Sequence, residues 1–479
     1  MNLIINGFND AAQVKIWDKL ATKNNFKYIN HISADGVSIS SFKSELVIET
    51  KLFYMVGDGD YDFSDYPPLD REIMEKMLPY EPTIIKLMDR LELYSDKGYF
   101  KYQKRYSLYL KHLRYWHHID KDKKIDLFIN SVLPHEVYDY VIYALCKIYK
   151  IPVLFFFQTQ MHDTTLSLSD INDWSRDIKP EYEKIRQAHE SKTGDDVALT
   201  GNALKEWSLR VKNVTPFYMA ASVIYPVNIF SGNKNRLKKL LNPFLVIKFI
   251  YFLLQRKIRN KTLRLVYAAT AAHPDFSKKF IYVPLHLQPE MTTCPMGGAM
   301  ENQELAIAMM AKYLPADVYL YIKENPKQEY FCRNLKYYQN ISRHHKNIVF
   351  VPRSCDTYNL IDNSLAVATF TGTAGWEALF KQKPVIAFGD CFYDSAPGVF
   401  KIESLLDCER AIKNIVNNEF QYDAKELKLF LQAVENVSLN CCSDPAYFCI
   451  SSLSVSENND NFYNFLEKYL KEFSAARAR

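Results

Sequence analysis

Short apolar runs alternate along the chain with longer stretches in which apolar positions recur every three or four residues. That alternation predicts strand–helix repeats of a parallel sheet. In the N-terminal half, Asn2–Ile5 predicts a strand and Ala11–Lys23 the helix after it. Ile125–Asn130 reads as a buried strand, Glu136–Tyr149 as a helix and Ile151–Phe157 as the next buried strand. The C-terminal half repeats the rhythm with strands at Phe280–Leu287, Asp317–Lys323, Ile348–Val351, Leu365–Thr369 and Pro384–Phe388. Helices are expected at Asn302–Tyr313 and Thr357–Asn363, and another starting in Trp376–Phe380. Asn461–Phe473 is amphipathic, with residues 474–479 read as a frayed tail. The fold class is therefore α/β, with two Rossmann-like domains facing a central cleft. The expected divisions are 1–206, 207–275, 276–420 and 421–479, the last holding helices that pack back toward the first domain.

Composition narrows this picture little until it is resolved along the chain. The 479 residues carry Lys+Arg 60 against Asp+Glu 55, a net charge of +5, with 48% hydrophobic and 24% charged residues. These are the proportions of a globular protein, so disorder and collagen-like chains are excluded. No run of 18 apolar residues predicts a spanning helix, and the first ten residues lack a basic, apolar secretory signal. Nine cysteines without a Cys-x-x-Cys pair read as reduced thiols of a cytosolic protein, and no metal or other cofactor is expected. The net charge is uneven, however. Trp207–Pro274 contains no acid but twelve Lys and Arg residues, so the rest of the chain totals 5 − 12 = −7. Within that stretch Pro243–Leu254 is strongly apolar and flanked by basic residues. It fits either a helix lying on an anionic membrane or a buried inter-domain helix with a basic collar. No nucleic-acid-binding pattern accompanies the charge, so nucleic acid is not an expected partner.

Four groups of residues are placed for chemistry. Thr371, Gly372, Thr373 and Gly375 follow a strand and open a helix, where free amides and the helix dipole favour a phosphate. Glu377 sits one turn in, able to meet a sugar hydroxyl or to favour the dipole. A strand also leads into a polar loop with His286, Gln288, Glu290, Thr292 and Thr293. Lys323 lies just beyond another strand, two residues before Asn325. In the first half, His135 and Glu136 open a helix, and His162 and Asp163 follow the next strand. These four are expected to line the opposite wall of the cleft, although a His-Glu pair at a helix start also reads as a cap. Asp58-Gly-Asp-Tyr-Asp62 begins like a calcium loop, but Phe63 and Leu69 replace the required Gly and Glu.

At these residues the chain resembles bacterial capsule polysaccharide biosynthesis proteins, including Kdo-transferase-like glycosyltransferases of the GT-B fold. The resemblance lies in Gln288-Pro-Glu-Met-Thr-Thr293, Lys323-Glu-Asn-Pro326, Thr371–Leu379, Lys383-Pro-Val385 and Phe388-Gly-Asp-Cys-Phe-Tyr393. Further likeness is carried by Tyr66–Asp70, Lys86–Arg90 and Pro134–Asp139. It implies transfer of an acidic keto-sugar, either Kdo or a nonulosonic acid such as pseudaminic or legionaminic acid. The donor would be CMP-activated and the acceptor a glycan or lipid-linked glycan. Retention through a carboxylate nucleophile is implied, at the position of Glu290, with His135 or Glu136 as acid/base. The other loop and turn residues, His286, Gln288, Thr292, Thr293, Lys323, Asn325, Thr371, Gly372, Thr373, Gly375 and Glu377, would hold the donor. Asn325 departs from the family, which has a histidine before the proline. The expected location is cytoplasmic, peripheral to the inner face of the membrane. A UDP- or GDP-sugar transferase, a sugar-nucleotide epimerase of the same architecture and a non-catalytic capsule-assembly scaffold remain open readings.

Overall fold

In the computed structural model the N-terminal apolar runs pair into a seven-stranded sheet, ordered β13-β6-β5-β4-β1-β2-β3. The strands are β1 (Asn2–Asn6), β2 (Tyr28–Ser33), β3 (Val47–Leu52), β4 (Leu127–Asn130), β5 (Val153–Gln158), β6 (Thr164–Leu168) and β13 (Leu439–Asn440). Residues 1–478 are described, except 10, 34–36, 42, 65, 95–100, 191–196, 212–242, 331–332, 345–346 and 445–446. β1 pairs in parallel with both β2 and β4, placing Ile4 beside Asn30 and Phe128. Helices cover both faces, which is why these strands read as continuous apolar runs. Trp17 and Leu20 of the helix Ala11–Lys23 join Ile5, Ile129 and Phe156 in one core with Phe462, Leu466 and Leu470. Those last three come from the helix Val455–Ala478. The tail expected to fray is thus helical to Ala478, and Arg477 pairs with Asp126 at 2.5 Å.

A second sheet of six strands has the order β12-β11-β10-β7-β8-β9. Its strands are β7 (Lys279–Pro284), β8 (Val318–Lys323), β9 (Ile348–Val351), β10 (Ala366–Thr369), β11 (Val385–Ala387) and β12 (Val399–Lys401). Every pairing in it is parallel. Counted from its own first strand the order is 3-2-1-4-5-6, the doubly wound arrangement, whose ligand crevice lies where the order reverses. That point is the carboxyl ends of β7 and β10. The core beneath holds Ile281, Leu320, Ala368 and Ile386, with Leu263 and Tyr267 from the helix Pro243–Thr270.

The chain divides into two compact units, one comprising Met1–Asp173 and Val437–Arg479, the other running through the described residues from Trp174 to Asn436. Two divisions therefore differ from the sequence expectation at 206 and 421. The helix Gly201–Val211 joins the second unit because Glu435 accepts hydrogen bonds from the amides of Asn202 (2.9 Å) and Ala203 (2.5 Å), satisfying its first turn. The helix Ala424–Val437, which carries Glu435, belongs there too, whereas β13 and the last helix complete the first unit. Apolar periodicity shows that a helix has a buried face, not which sheet covers it. The apolar segment Pro243–Leu254 is the first part of a 28-residue helix. Among the described residues no helix is long and apolar enough to cross a membrane. Lys212, Lys234, Arg236, Lys238 and Lys239 lie outside the described residues.

Candidate functional site at the switch point of the second sheet

The crevice at the ends of β7 and β10 is built by one histidine and one threonine. His286 Nε2 lies 2.9 Å from Thr369 Oγ1 and 3.3 Å from the Phe370 amide, which donates to it. Thr369 Oγ1 in turn accepts from the Gly372 amide at 3.2 Å. The Thr369 hydroxyl proton thus points to His286 Nε2, an assignment that leaves the imidazole proton on Nδ1. Burial, with Arg333 nearby, pushes the His286 pKa down to about 4, so the ring is neutral at physiological pH. The unfolded chain protonates near 6.5 and the folded ring only near 4, so this histidine's stabilising contribution is lost as pH falls between those values.

Gly372 caps the helix Thr373–Phe380 and contributes no side-chain hydrogen bond to its first turn. The opening amides of a helix have no internal partner, so those of Thr373 and Ala374 stand at the strand end where an anion is stabilised. Glycine is required by close approach rather than by its backbone angle. A Cβ at Gly372 would lie 2.8 Å from His286 Cε1, 2.9 Å from Nε2 and 3.2 Å from Thr369 Oγ1. Gly372→Ala is therefore expected to displace the imidazole and cost about 1–3 kcal/mol, the usual range for overpacking. Urea unfolding measures the loss, and a cost near zero would show that the ring is not held where described.

The loop after β7 is tied down from behind by a charge that sequence reasoning missed. Arg333 is buried and pairs with Glu324, itself fully buried, at 3.1 Å. Its guanidinium also donates to Gln288 Oε1 and, at 3.3 Å, to the His286 carbonyl. Glu324 accepts from Tyr338 Oη at 2.8 Å and from the Asn325 amide at 2.8 Å. Gln288 is further held by Gln328, whose Oε1 takes its amide at 2.9 Å and whose Nε2 donates to its carbonyl at 2.7 Å. Gln288 is thus bonded to the protein frame and positions the loop. A lone arginine in a polar stretch gives no pattern from which this role could be read.

The expected residues are placed as follows. Thr371 donates to the Thr292 carbonyl at 2.8 Å, joining the turn after β10 to the loop after β7. Glu290 is part-exposed in that loop and its Oε2 accepts from the Thr292 amide at 3.0 Å and from the Thr292 hydroxyl. Thr293 donates to the Glu290 carbonyl at 2.8 Å, closing the turn. Lys323 is different from expectation: its Nζ donates to the Cys355 carbonyl (2.5 Å) and Thr357 Oγ1 (2.8 Å), and burial lowers its pKa. It ties β8 to the helix Thr357–Asn363. Asn325 Oδ1 accepts from the Lys327 amide at 2.9 Å, an Asx turn. Gly375 packs against Thr369 and Tyr393, and Tyr393 donates to the Gly372 carbonyl. Glu377 is buried and lies 3.5 Å from Arg210, which also holds the buried Glu206 at 2.7 Å. Burial raises the Glu377 pKa against the pull of Arg210. It is engaged behind the turn, not open to a sugar in the described arrangement.

In the first unit, the corresponding strand ends carry a polar chain of their own. Asn6 Nδ2 donates to Asn130 Oδ1 at 3.1 Å, and Asn130 Nδ2 to Asp139 Oδ2 at 3.2 Å. Asp139 also takes the His135 amide at 3.3 Å, and burial raises its pKa. His135 Nδ1 donates to the Leu133 carbonyl at 2.5 Å, which directs the ring's other nitrogen, Nε2, to within 3.7 Å of Glu136 Oε1. Glu136 is opposed by burial, but Arg90 at 3.5 Å and His135 outweigh it and hold its pKa below the ordinary value. Glu136 makes no side-chain cap hydrogen bond to the helix Val137–Tyr149. Asp163 is instead structural: it accepts from the Ser452 amide at 3.0 Å and from the hydroxyls of Ser451 and Ser452. The His162 carbonyl takes the Thr164 hydroxyl at 2.7 Å. Among the described residues no group of three or more His, Cys, Asp and Glu is arranged to hold a metal ion.

Comparison with known proteins bears on the second unit. No curated protein matches the sequence. Among solved structures, the chain is similar to the KpsC beta-Kdo 2,7-transferase of Thermosulfurimonas dismutans, at 10% identity and TM-score 0.32, over 73% of this chain and 88% of that one. The beta-Kdo 2,4-transferase of the same protein gives 12% identity and TM-score 0.31, over 65% and 80%. The UDP-GlcNAc 2-epimerase of Methanocaldococcus jannaschii gives 11% identity and TM-score 0.27, over 91% and 97%. Residues 217–430 match the family model described as capsule polysaccharide biosynthesis protein. That stretch contains all six strands of the second sheet and the His286–Gly372 crevice, so the likeness to capsule polysaccharide biosynthesis proteins lies in the part of the chain that holds the candidate site.

Proposed function

We propose that the protein is a glycosyltransferase of capsule polysaccharide synthesis that binds an activated sugar at the switch point of the second sheet. The observation that carries this reading is the uncapped first turn of Thr373–Phe380 beside neutral His286, within the family-matched stretch. A leaving nucleotide gains negative charge on its phosphate, and preorganised amides at a helix N-terminus stabilise that charge as it forms. The Thr373 and Ala374 amides and the Thr373 hydroxyl take this part. Lys323, engaged with Cys355 and Thr357, positions the frame instead.

The donor in this proposal is a CMP-activated acidic keto-sugar, Kdo or a nonulosonic acid, and the acceptor a glycan or lipid-linked glycan. Glu290 is the nucleophile: its carboxylate bonds to the anomeric carbon as the bond to the phosphate oxygen breaks. The acceptor hydroxyl then displaces it, giving net retention. The acceptor's proton passes to a general base, for which His135 and Glu136 are the candidates.

A thermal-shift panel of CMP, UDP and GDP tests the donor class. CMP at a hundred times its Kd is expected to add about 2.7 kcal/mol of stability. Stabilisation by UDP or GDP alone would redirect the assignment to another donor, and no shift by any nucleotide would end the transferase reading. Free CMP released over many turnovers only when acceptor is present, with at most one equivalent per protein from donor alone, separates transfer from epimerisation. Mass measurement of the protein incubated with donor alone should show the sugar adduct in wild type and none in Glu290→Gln. A Glu290→Gln variant as active as wild type would sink the nucleophile assignment.

A further inference from the structure

The helix Pro243–Thr270 has two faces of opposite use. Leu263 and Tyr267 are buried in the second unit's core, and Tyr267 Oη donates to the Val351 carbonyl at 2.6 Å. Arg256 is on the same side and forks onto Glu329 with bonds of 2.6 and 2.7 Å. Ile247, Ile250, Tyr251, Leu254, Ile258 and Leu265 fall on the opposite side, at the three-, four- and seven-residue spacings of one helical stripe. All six are exposed, between 50% and 65%. Single exposed apolar residues are ordinary on a protein surface, but a continuous stripe marks an interaction face. At 1.5 Å per residue it runs for about 27 Å.

Charge identifies what covers it. The helix contains no acid, and exposed Lys257, Lys261 and Arg264 stand along one border of the stripe. A second copy would bring the same positive border against this one. An anionic lipid surface satisfies both features: its headgroups take the lysines while the stripe sinks about 5–10 Å into the headgroup–acyl boundary. We infer that this helix docks the protein flat on an anionic membrane through the Ile247–Leu265 stripe. The inference is independent of the transfer reaction, because it rests on none of the switch-point crevice residues described above.

Co-sedimentation of the full-length protein with vesicles tests it, using phosphatidylcholine alone and phosphatidylcholine containing phosphatidylglycerol. Binding is expected only to the anionic vesicles, and it should weaken steeply with salt. Lys257→Gln with Lys261→Gln should reduce that affinity about 30-fold, from about 1 kcal/mol per basic residue at an anionic surface. Ile250→Asp with Leu254→Asp should abolish binding even in low salt, with the melting temperature unchanged because both positions point outward. Three results would overturn the inference. They are absence of binding to anionic vesicles, binding that neither pair of substitutions alters, and a lipid-free dimer dissolved by Ile250→Asp with Leu254→Asp.

Discussion

Replacing Arg333 by alanine is expected to cost about 3–5 kcal/mol, the range for breaking a buried ion pair by removing one partner. Glu324 would remain in the interior held by the Tyr338 hydroxyl and the Asn325 amide, with no charge to balance its own among the partners described. The loss reaches beyond the pair. The His286 carbonyl and Gln288 Oε1 would each lose a donor, so the loop from Leu285 to Thr293 would lose its rear support. Urea denaturation measures the stability term, and the nucleotide-dependent thermal shift should fall with it. Removing both charges, as Arg333→Met with Glu324→Leu, should recover much of the stability, because no buried charge is then left alone. It should not recover nucleotide binding, because methionine donates nothing to His286 or Gln288. A variant Arg333→Ala that unfolds at the wild-type urea concentration would contradict the buried pair.

Arg210→Ala is the second large effect, and its size should depend on pH. Arg210 stands between Glu206 at 2.7 Å and Glu377 at 3.5 Å, all three buried, and Trp376 Nε1 donates to Glu206 at 2.9 Å. Without the guanidinium, two carboxylates share an apolar pocket and cannot both ionise cheaply. Burial already places the Glu377 pKa above 4.5, and the substitution should raise it further. The sign follows from proton counting. Between the unfolded and folded pKa values the folded state holds the extra proton, so stability falls as pH rises. The loss is therefore expected to be small near pH 4 and to reach about 3–5 kcal/mol at pH 7–8. Urea titrations at the two pH values measure the difference. Adding Glu377→Gln should flatten the pH dependence, whereas an equal loss at both values would show that packing, not charge, is what Arg210 supplies.

The turn at Thr371–Gly375 was legible along the chain because its signal is local. A run of small residues follows an apolar run and precedes a helical one, and each of those features acts within a few positions. The same is true of the helix Ala11–Lys23 and of the strands β9 and β10, whose predicted spans lie within one residue of those observed. Lys323 was legible as a cation at a strand end, yet its partners Cys355 and Thr357 lie more than thirty residues away. Glu206 and Arg210 are four apart and could be read as a helix-surface pair, but nothing nearby in sequence marks them as buried.

That contrast divides this protein's properties by range. Hydrophobic period, turn chemistry and the uneven charge of residues 207–274 act through neighbours in the chain, so element types and the acid-free segment are present in the one-dimensional pattern. Strand order, the unit joined by Gly201–Val211 and Ala424–Val437, and the neutral state of His286 arise from contacts between distant residues. So does the outward stripe of Pro243–Thr270, since exposure is decided by what else packs there. Desolvation and long-range hydrogen bonding depend on positions in space, and only the folded chain brings His286, Arg333 and Gly372 to the end of the same sheet.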